Sequence, residues 1–273
     1  MASTPLLEAA ELVSRERAAP GFWCLGFRSL EIAARARAAH YVAIDLPGAF
    51  SVRLPLGIWT ARDDTFTLLF REWGDRTTRL ACVPDHSLVS VIGPLGNEFE
   101  IPEGDTRATI VAGGIGVVPF WLLARQLLEA GVRTTVLLGA RTRHMLVGIE
   151  ELRALGVEVR VSTDDGSVGS HGSVIDAVRT MPAPDILYGC GPPAMLRALC
   201  DHANVADIPC QVSLEETFGC SMGTCWGCVV PVRRGSEQAS GYPRAADERR
   251  DFDFARVCAD GTVFWSRDLL WQR

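Results

Sequence analysis

The stretch "ATIVAGGIGVVPFWLLARQLLEAG" (residues 108–131) decides the fold of this 273-residue chain. Its first part is a continuous apolar run typical of a buried strand, and its last part has the apolar spacing of a helix that ends at Gly131. The glycines between the two parts allow close backbone approach to a ligand, and a helix N-terminus stabilises a pyrophosphate. A tight turn without any ligand is the alternative that this stretch leaves open.

The alternation of strand and helix continues along the chain. Buried-strand patterns recur in "RTTVLLGAR", "VEVRVSTDDG" and "DILYGCGPP", and helical patterns in "IEELRALG", "SVIDAVRTM" and "AMLRALCDHA". Such alternation predicts a parallel sheet wrapped by helices. A second glycine cluster, "YGCGPPAML" (188–196), also ends a strand. Both glycine loops are therefore expected at the carboxyl edge of the sheet, where open α/β sheets bind ligands.

Residues 21–105 have a different pattern, in which short β-type runs such as "HYVAIDL" and "TFTLLFREW" alternate with turns such as "DLPG" and "ARDD". This pattern predicts an antiparallel barrel or sandwich. Within it, Arg53 lies in a strand that Pro55 interrupts, and Arg71 precedes a Gly/Thr-rich turn. Arginines in strands are commonly just solvated, but these two neighbourhoods are also suited to phosphate and flavin binding.

Four cysteines define a candidate metal centre near the C-terminus. Cys220, Cys225 and Cys228 have the spacing C-x4-C-x2-C, and Cys258 follows after 29 intervening residues. This is the plant-type pattern of a [2Fe-2S] cluster, in which four thiolates hold two irons. Structural zinc usually takes two short-spaced cysteine pairs. Zinc and unliganded thiols remain the alternatives.

Composition excludes some functions. A net charge of −6 and a pI near 5.4 argue against a nucleic-acid surface. The N-terminus lacks the apolar core and cleavage site of a secretory signal, so a cytoplasmic location is expected. The longest apolar stretch (109–124) is shorter than a membrane span of roughly 20 residues and is interrupted by glycine and proline, so no membrane anchor is predicted. Because cytosolic thiols stay reduced, clustered cysteines indicate metal rather than disulfides.

Taken together, the chain resembles the ferredoxin-reductase-like flavoproteins, and among them the electron-transfer subunits of NAD-linked, two-subunit dihydroorotate dehydrogenases. The resemblance runs from about residue 38 to 273. The segments that carry it are "SLEETFGCSMGTCWGCVV", "RVCADGTVF", "STDDGSVGSHGSV", "YGCGPPAML", "AGGIGVVP" and "GPLGNEF".

The resemblance implies a multi-domain β plus α/β protein with three cofactors. The expected parts are a tail (1–20), an antiparallel FAD-binding barrel (21–105), a parallel-sheet NAD-binding domain (106–210) and a Cys-rich [2Fe-2S] domain (211–273). It also implies a function in each site for specific residues: the flavin-binding stretch Arg53, Leu54, Pro55, Leu56 and Gly57, the pyrophosphate turn Arg71, Gly74, Thr77 and Thr78, and the nicotinamide side Gly113, Gly114, Gly116, Cys190 and Gly191.

The order of carriers follows from their chemistry. NAD exchanges a hydride and a [2Fe-2S] cluster passes single electrons, whereas a flavin does both, so FAD is expected between them. The resemblance implies a partner subunit with its own flavin that oxidises the substrate, while this chain relays electrons through the cluster and FAD to NAD. Cys190 is the candidate for positioning the nicotinamide ring.

Some positions depart from the family's pattern. The chain has "AAHY" (38–41) where the family has P-G-Q-F, Gly57 where the flavin motif has Ser, and a long spacer before Cys258 that includes a polar loop (233–251). A reductase subunit with the same cofactors but another partner is therefore the second hypothesis. The third is a non-enzymatic module in which the cysteines hold zinc.

Overall fold

A computed structural model describes residues 4–46, 52–240 and 251–271. The N-terminal half is one antiparallel sheet with the strand order β4-β3-β7-β1-β2-β6-β5. Its strands are β1 (Leu6–Ala19), β2 (Phe22–Arg28), β3 (Tyr41–Ile44), β4 (Leu54–Gly57), β5 (Thr60–Arg62), β6 (Thr65–Arg71) and β7 (Leu88–Leu95). The edge strands β4 and β5 are consecutive, with only Ile58 and Trp59 between them, so the chain joins both edges and closes a barrel. Two short helices, α1 (Leu30–Arg35) and α2 (Asp75–Ala81), lie in its connections.

The expectation of a tail over residues 1–20 is wrong for the strand β1. This strand lies in the middle of the sheet and pairs with both β2 and β7. The sequence does not indicate a strand here, because only Ala10 and Leu12 are fully buried. In addition, its leucine, glutamate, alanine and arginine residues are good helix formers. Pairing with two neighbours overrides that local preference.

The second half contains a mostly parallel sheet. Its sheet order is β11-β10-β9-β8-β12-β13-β16. The remaining strands are β8 (Arg107–Gly113), β9 (Arg133–Ala140), β10 (Glu158–Thr163), β11 (Ser170–His171), β12 (Ile186–Cys190), β13 (Cys210–Ser213), β14 (Val229–Arg233), β15 (Phe252–Arg256) and β16 (Val263–Trp265). The helices are α3 (Phe120–Glu129), α4 (Ile149–Arg153), α5 (Val174–Thr180) and α6 (Pro193–Val205).

The predicted parallel core is confirmed, because β8, β9, β10, β12 and β13 all pair in parallel. The strand order reverses between β8 and β12, which are neighbours although far apart in sequence. Ligands of open α/β sheets bind at such a switch point, beyond the carboxyl ends of the strands. Both glycine loops follow these two strands and therefore meet there.

The C-terminal segment extends this sheet. The strand β16 pairs antiparallel with β13, so the sheet continues across the expected boundary at residue 210. The strands β14 and β15 form a separate antiparallel pair, and the buried Cys228, Val257 and Cys258 pack with the residues under α6. Residues 241–250 of the polar loop lie outside the described residues. In the described ranges, no helix is long and apolar enough to cross a membrane.

Candidate cofactor sites

The two glycine loops form the wall of a large cleft at the switch point. Its volume is about 1230 Å³, and its lining includes Gly113, Gly114, Gly116 and Gly191. A Cβ added at Gly116 would lie 2.4 Å from the carbonyl oxygen of Cys190, and one added at Gly191 would lie 2.9 Å from the Cα of Gly113. The backbones approach so closely that only glycine fits. A cleft of this size with bare backbone at a helix entry suits a dinucleotide.

The far end of the same cleft carries charge. Arg141, Asp164 and Arg179 lie on its lining, together with Ser173. Arg141 directly follows β9, and Asp164 directly follows β10. These polar and charged groups are suited to contact the adenosine half of a dinucleotide whose pyrophosphate lies at the glycine loops.

A second, smaller cavity of about 300 Å³ lies between the barrel and the parallel sheet. Pro55, Leu56, Gly57 and Arg71, four of the residues predicted to bind flavin, line it. The cavity is lined on the opposite side by Cys190 and by the segment 213–216. The two cavities have Arg71 in common, together with Ile115, Leu214, Glu215 and Glu216. Ligands bound in the two cavities would therefore meet.

Two members of the predicted flavin stretch lie away from this cavity. Leu54 is only 8% exposed and packs into the barrel core. Arg53 donates hydrogen bonds to Ser90, 3.2 Å to Oγ and 3.3 Å to the carbonyl oxygen, and its guanidinium lies 3.7 Å from the Asp45 carboxylate. The structure thus brings residues 55–57 to the cavity wall and leaves residues 53 and 54 outside it.

The predicted pyrophosphate turn surrounds the start of α2. Gly74 precedes the helix with φ +85°, a conformation that favours glycine. Thr77 Oγ1 accepts a hydrogen bond from the Trp73 amide at 2.6 Å, and Thr78 Oγ1 donates one to Glu72 at 3.0 Å. Arg76 donates to the Val52 carbonyl at 2.9 Å, which brings this turn close to the start of the strand β4. Of the predicted turn residues, Arg71 alone lies on the described cavity linings.

Cys190 is a neutral, enclosed thiol. It is 2% exposed at the end of β12 and lines the smaller cavity. Burial raises the pKa of the Cys190 thiol well above its usual range, the charge of Glu215 adds to this, and a hydrogen bond with Ser213 opposes it. Because a protonated thiol is a poor nucleophile, Cys190 is suited to packing against a ligand rather than to attacking it.

Glu215 was not predicted as a site residue, although it lies in the quoted motif "SLEETFGC". It lines both cavities and stays accessible from them, while protein atoms surround its carboxyl group. This enclosure raises the pKa of the Glu215 carboxyl above its ordinary value. The position of this acidic side chain at the junction of two cavities depends on the fold and has no signal in the local sequence.

The four predicted cluster cysteines come together as two pairs. The thiols of Cys220 and Cys225 lie within hydrogen-bonding reach of each other, and so do those of Cys228 and Cys258. Among the described residues, no three His, Cys, Asp or Glu side chains are grouped to hold one metal ion. Two pairs fit two irons with two thiolates each better than one tetrahedral zinc. Cys225 is exposed and Cys258 is buried, so the site extends from the surface inward.

Backbone amides already point at these sulfurs. The amides of Thr224 and Cys225 donate to Cys220 Sγ at 3.2 and 3.3 Å, and that of Gly223 donates to Cys258 Sγ at 3.2 Å. Partial burial alone would raise the pKa of Cys220, but the amides of Met222, Cys225 and Thr224 outweigh it and lower the pKa to about 6. Amides that stabilise a thiolate also stabilise a negatively charged cluster. The residues present therefore fit a [2Fe-2S] group.

The smaller cavity is directly connected to this centre. The ring of Tyr41 lines the cavity, and its hydroxyl reaches the carbonyl oxygens of Ser221 and Cys258, each at 3.0 Å. Burial raises the pKa of the Tyr41 hydroxyl above its usual range, and the nearby thiols of Cys258 and Cys228 add to this. In the sequence, Tyr41 stands out only as part of a departure from a family motif. Its contact with the cluster loops has no local sequence signal.

A large cleft that suits a dinucleotide, a smaller cavity beside it and a thiolate centre follow one another. This arrangement suits the class of FAD- and NAD-dependent oxidoreductases. Residues 110–201 match the family described as the oxidoreductase NAD-binding domain. The ferredoxin reductase in carbazole 1,9a-dioxygenase has the same fold, with a TM-score of 0.66, 18% identity, and coverage of 77% of this chain and 68% of that one.

The particular family follows from closer relatives. The electron transfer subunit of dihydroorotate dehydrogenase B (NAD(+)) from Geobacillus kaustophilus is 41% identical over 207 residues, 75% of this chain and 74% of the relative. The subunit of the same name from Caldanaerobacter subterraneus subsp. tengcongensis is 35% identical over 232 residues, 85% and 86% of the two chains. This chain belongs to that family of electron transfer subunits.

One solved structure covers almost the whole chain. It is that of an NADH-dependent reduced ferredoxin-NADP oxidoreductase, studied for flavin-based electron bifurcation. The TM-score is 0.80 at 26% identity, over 99% of this chain and 92% of that one. The similarity therefore includes the C-terminal cysteine segment as well as the two sheets.

Proposed function

We propose that this chain relays electrons from a flavin-containing catalytic subunit that oxidises dihydroorotate, through a [2Fe-2S] cluster and FAD, to NAD in the cytoplasm. The observation that carries the proposal is the order of the three sites. The dinucleotide cleft and the flavin cavity have Arg71 and Glu215 in common, and Tyr41 joins the flavin cavity to the cysteine loops. When bound, the flavin supplies the exchange between hydride and single-electron transfer.

Each part of the chain has its own task in this proposal. The barrel (21–105, with β1 added) encloses the flavin, the parallel sheet (106–210) holds the nucleotide, and the C-terminal segment (211–273) holds the cluster. Glycines 113, 114, 116 and 191 admit the pyrophosphate and nicotinamide, and Cys190 packs against the nicotinamide ring. Gly57 and Arg71 enclose the flavin, while Gly74, Thr77 and Thr78 hold its pyrophosphate with Arg53 nearby.

The exposed surface of the loop that contains Cys225 supports the proposal that a partner subunit binds there. Cys225 is exposed, and the neighbouring Met222 side chain is 59% exposed. An apolar, flexible methionine beside a redox centre is typical of a docking surface. The dihydroorotate-oxidising site would lie on that partner, which supplies electrons at this end of the relay.

A second candidate is a reductase subunit with the same cofactors and another partner. The similarity over 99% of the chain to the ferredoxin-NADP oxidoreductase structure favours it, as does the long spacer between Cys228 and Cys258. The two candidates differ only in the partner and its substrate, because the cleft, cavity and thiolate centre are common to both.

The first experiment is a visible spectrum of the anaerobically purified chain with iron, sulfide and flavin analysis. We expect about two irons, two sulfides and one flavin per chain, and bleaching of the flavin and cluster bands by NADH. A colourless protein with stoichiometric zinc would overturn the relay. The complex with a catalytic subunit of the family then decides the substrate: dihydroorotate-dependent NAD reduction supports the first candidate, and its absence in a complex that binds both flavins supports the second.

A further inference from the structure

Two buried hydroxyl groups connect the flavin cavity to the cluster-binding segments, defined as residues 219–228 and 256–262. Tyr41 is 4% exposed and Thr262 is 5% exposed. The Tyr41 hydroxyl has one proton, which the carbonyl oxygens of Ser221 and Cys258 share at 3.0 Å each. Thr262 Oγ1 donates in the opposite direction, to the Ala39 carbonyl at 3.0 Å. The barrel and the cluster-binding segments are thus joined by hydrogen bonds donated in both directions.

The same two side chains also line the flavin cavity. Tyr41 and Thr262 both lie on its wall, and the Tyr41 ring packs against Phe218 with the centroids 5.2 Å apart. A single side chain therefore reaches from the cavity to the carbonyl of Cys258, a cluster ligand in the proposed function. Because Tyr41 bonds both segments at once, it fixes their position relative to each other as well as to the flavin wall.

We infer that the hydroxyl groups of Tyr41 and Thr262 are positioning groups that hold the cluster-binding segments against the flavin cavity and so set the rate of electron transfer between cluster and flavin. This inference rests on the proposed function, because it needs both cofactors. Neither side chain gains or loses an electron or a proton in this role. Electron-transfer rates fall steeply with distance, so a small outward shift of the loops slows transfer without changing hydride chemistry.

The test compares Tyr41→Phe and Thr262→Val with Tyr188→Phe in the cofactor-loaded protein. Tyr188 is the matched control, since its hydroxyl donates to the Glu100 carbonyl at 2.7 Å, and Tyr188 is not on the wall of either cavity. Stopped-flow spectroscopy follows flavin and cluster reduction by NADH separately. A second readout is the rate of cluster bleaching by an iron chelator. We expect cluster reduction to slow, and cluster loss to accelerate, by about three- to ten-fold in the first two variants, the equivalent of one hydrogen bond.

The flavin reduction rate is expected to stay unchanged in Tyr188→Phe, and in the other two variants the ratio of the cluster reduction rate to the flavin reduction rate is expected to fall. Unchanged cluster kinetics in Tyr41→Phe and Thr262→Val, or an equal change in Tyr188→Phe, would overturn the inference. If Tyr41→Phe does not fold, Thr262→Val tests the inference instead, because it removes only the hydrogen bond between Thr262 and the Ala39 carbonyl. The wild-type spectrum distinguishes failure of this inference from failure of the proposed function. A wild-type protein without flavin and cluster bands would contradict the proposed function, whereas unchanged kinetics in a protein that has both bands would contradict only the inference.

Discussion

His40 forms part of the flavin-cavity wall and is held in its neutral form. Burial lowers the pKa of His40 to about 4, and the charge of Arg37 contributes. The Arg37 amide donates to Nδ1 at 3.1 Å, so the proton of the neutral ring is on Nε2, which lies 3.7 Å from the Glu98 carboxylate. The ring can therefore donate a hydrogen bond without carrying charge.

This depressed pKa predicts a pH-dependent stability. The unfolded chain, with an ordinary histidine pKa of roughly 6.5, binds a proton in the range where the folded chain does not. The contribution of His40 is therefore complete above about pH 6.5 and is lost as the pH falls toward 4. Between about pH 7.5 and 5.5 the wild type should lose about 1.4 kcal/mol more than His40→Gln. Urea unfolding at both pH values measures the difference, and equal losses would contradict it.

The close approach of Gly116 to the second glycine loop predicts an effect of its substitution on NADH binding. An added Cβ would lie 2.4 Å from the Cys190 carbonyl oxygen and 2.7 Å from the Gly191 amide nitrogen, both of which are backbone atoms. Gly116→Ala should force the two glycine loops apart and weaken NADH binding by about ten-fold or more. Flavin content should stay unchanged, and titration of NADH against flavin bleaching measures the affinity.

The control is Gly131→Ala, since a Cβ there meets no atom within 4 Å. Its φ of +74° makes alanine cost about 1 kcal/mol of stability. NADH affinity should stay at the wild-type value in this variant. Equal affinities in the two variants would show that the loop approach does not form the nucleotide site.

Among the secondary-structure elements, β1 is a strand because of its packing and pairing in the barrel, which its local sequence does not predict. Leu12 is 1% exposed in the barrel core, whereas Leu7, on the same strand, is 67% exposed. Leu12→Ala should lower the free energy of unfolding by about 2–5 kcal/mol, and Leu7→Ala by less than about 0.5 kcal/mol. Thermal unfolding of the two variants tests whether this strand is an integral part of the barrel. A tail would give the same small effect at both positions.

The elements that sequence predicted correctly have local signals. The strand β8, the glycine turn after it and α3 are adjacent in the chain, so apolar runs, glycines and helical spacing suffice to identify them. The strand β16 has only three residues and exists because it pairs with β13, about 50 positions earlier. No window of sequence contains that information.

The site residues, like the strands and helices, include some that local sequence predicts and others that it does not. The cysteines and glycine loops were predicted because their chemistry depends on short spacing. Leu54 matches a flavin-binding motif, yet it packs into the barrel core, whereas Pro55, Leu56 and Gly57 of the same strand line the smaller cavity. Tyr41 contacts a carbonyl 217 positions away, and Glu215 reaches the junction of two cavities only when both sheets are in place. Such contacts depend on the tertiary fold.

At the scale of the whole molecule, the three sites divide the relay into separable steps. The nucleotide cleft and flavin cavity have lining residues in common, and in the proposed function they carry out hydride exchange without the cluster. The cysteine centre is connected to them through Tyr41 and extends to the surface at Cys225. Loss of the cluster should therefore block only the transfer between flavin and partner.

Cys225→Ser tests this division, with Cys82→Ser as its control. Both cysteines are exposed, but Cys82 lies at the end of α2, away from the cluster loop. In Cys225→Ser the cluster absorption should disappear and partner-dependent NAD reduction should fall by about 100-fold or more, because serine replaces a thiolate ligand. Reduction of ferricyanide by NADH should stay within about two-fold of wild type in both variants, since an artificial acceptor takes electrons from the flavin directly. A parallel loss of ferricyanide reduction would mean that the cluster segment is needed to build the flavin site itself, and the relay could not then be divided at the cluster.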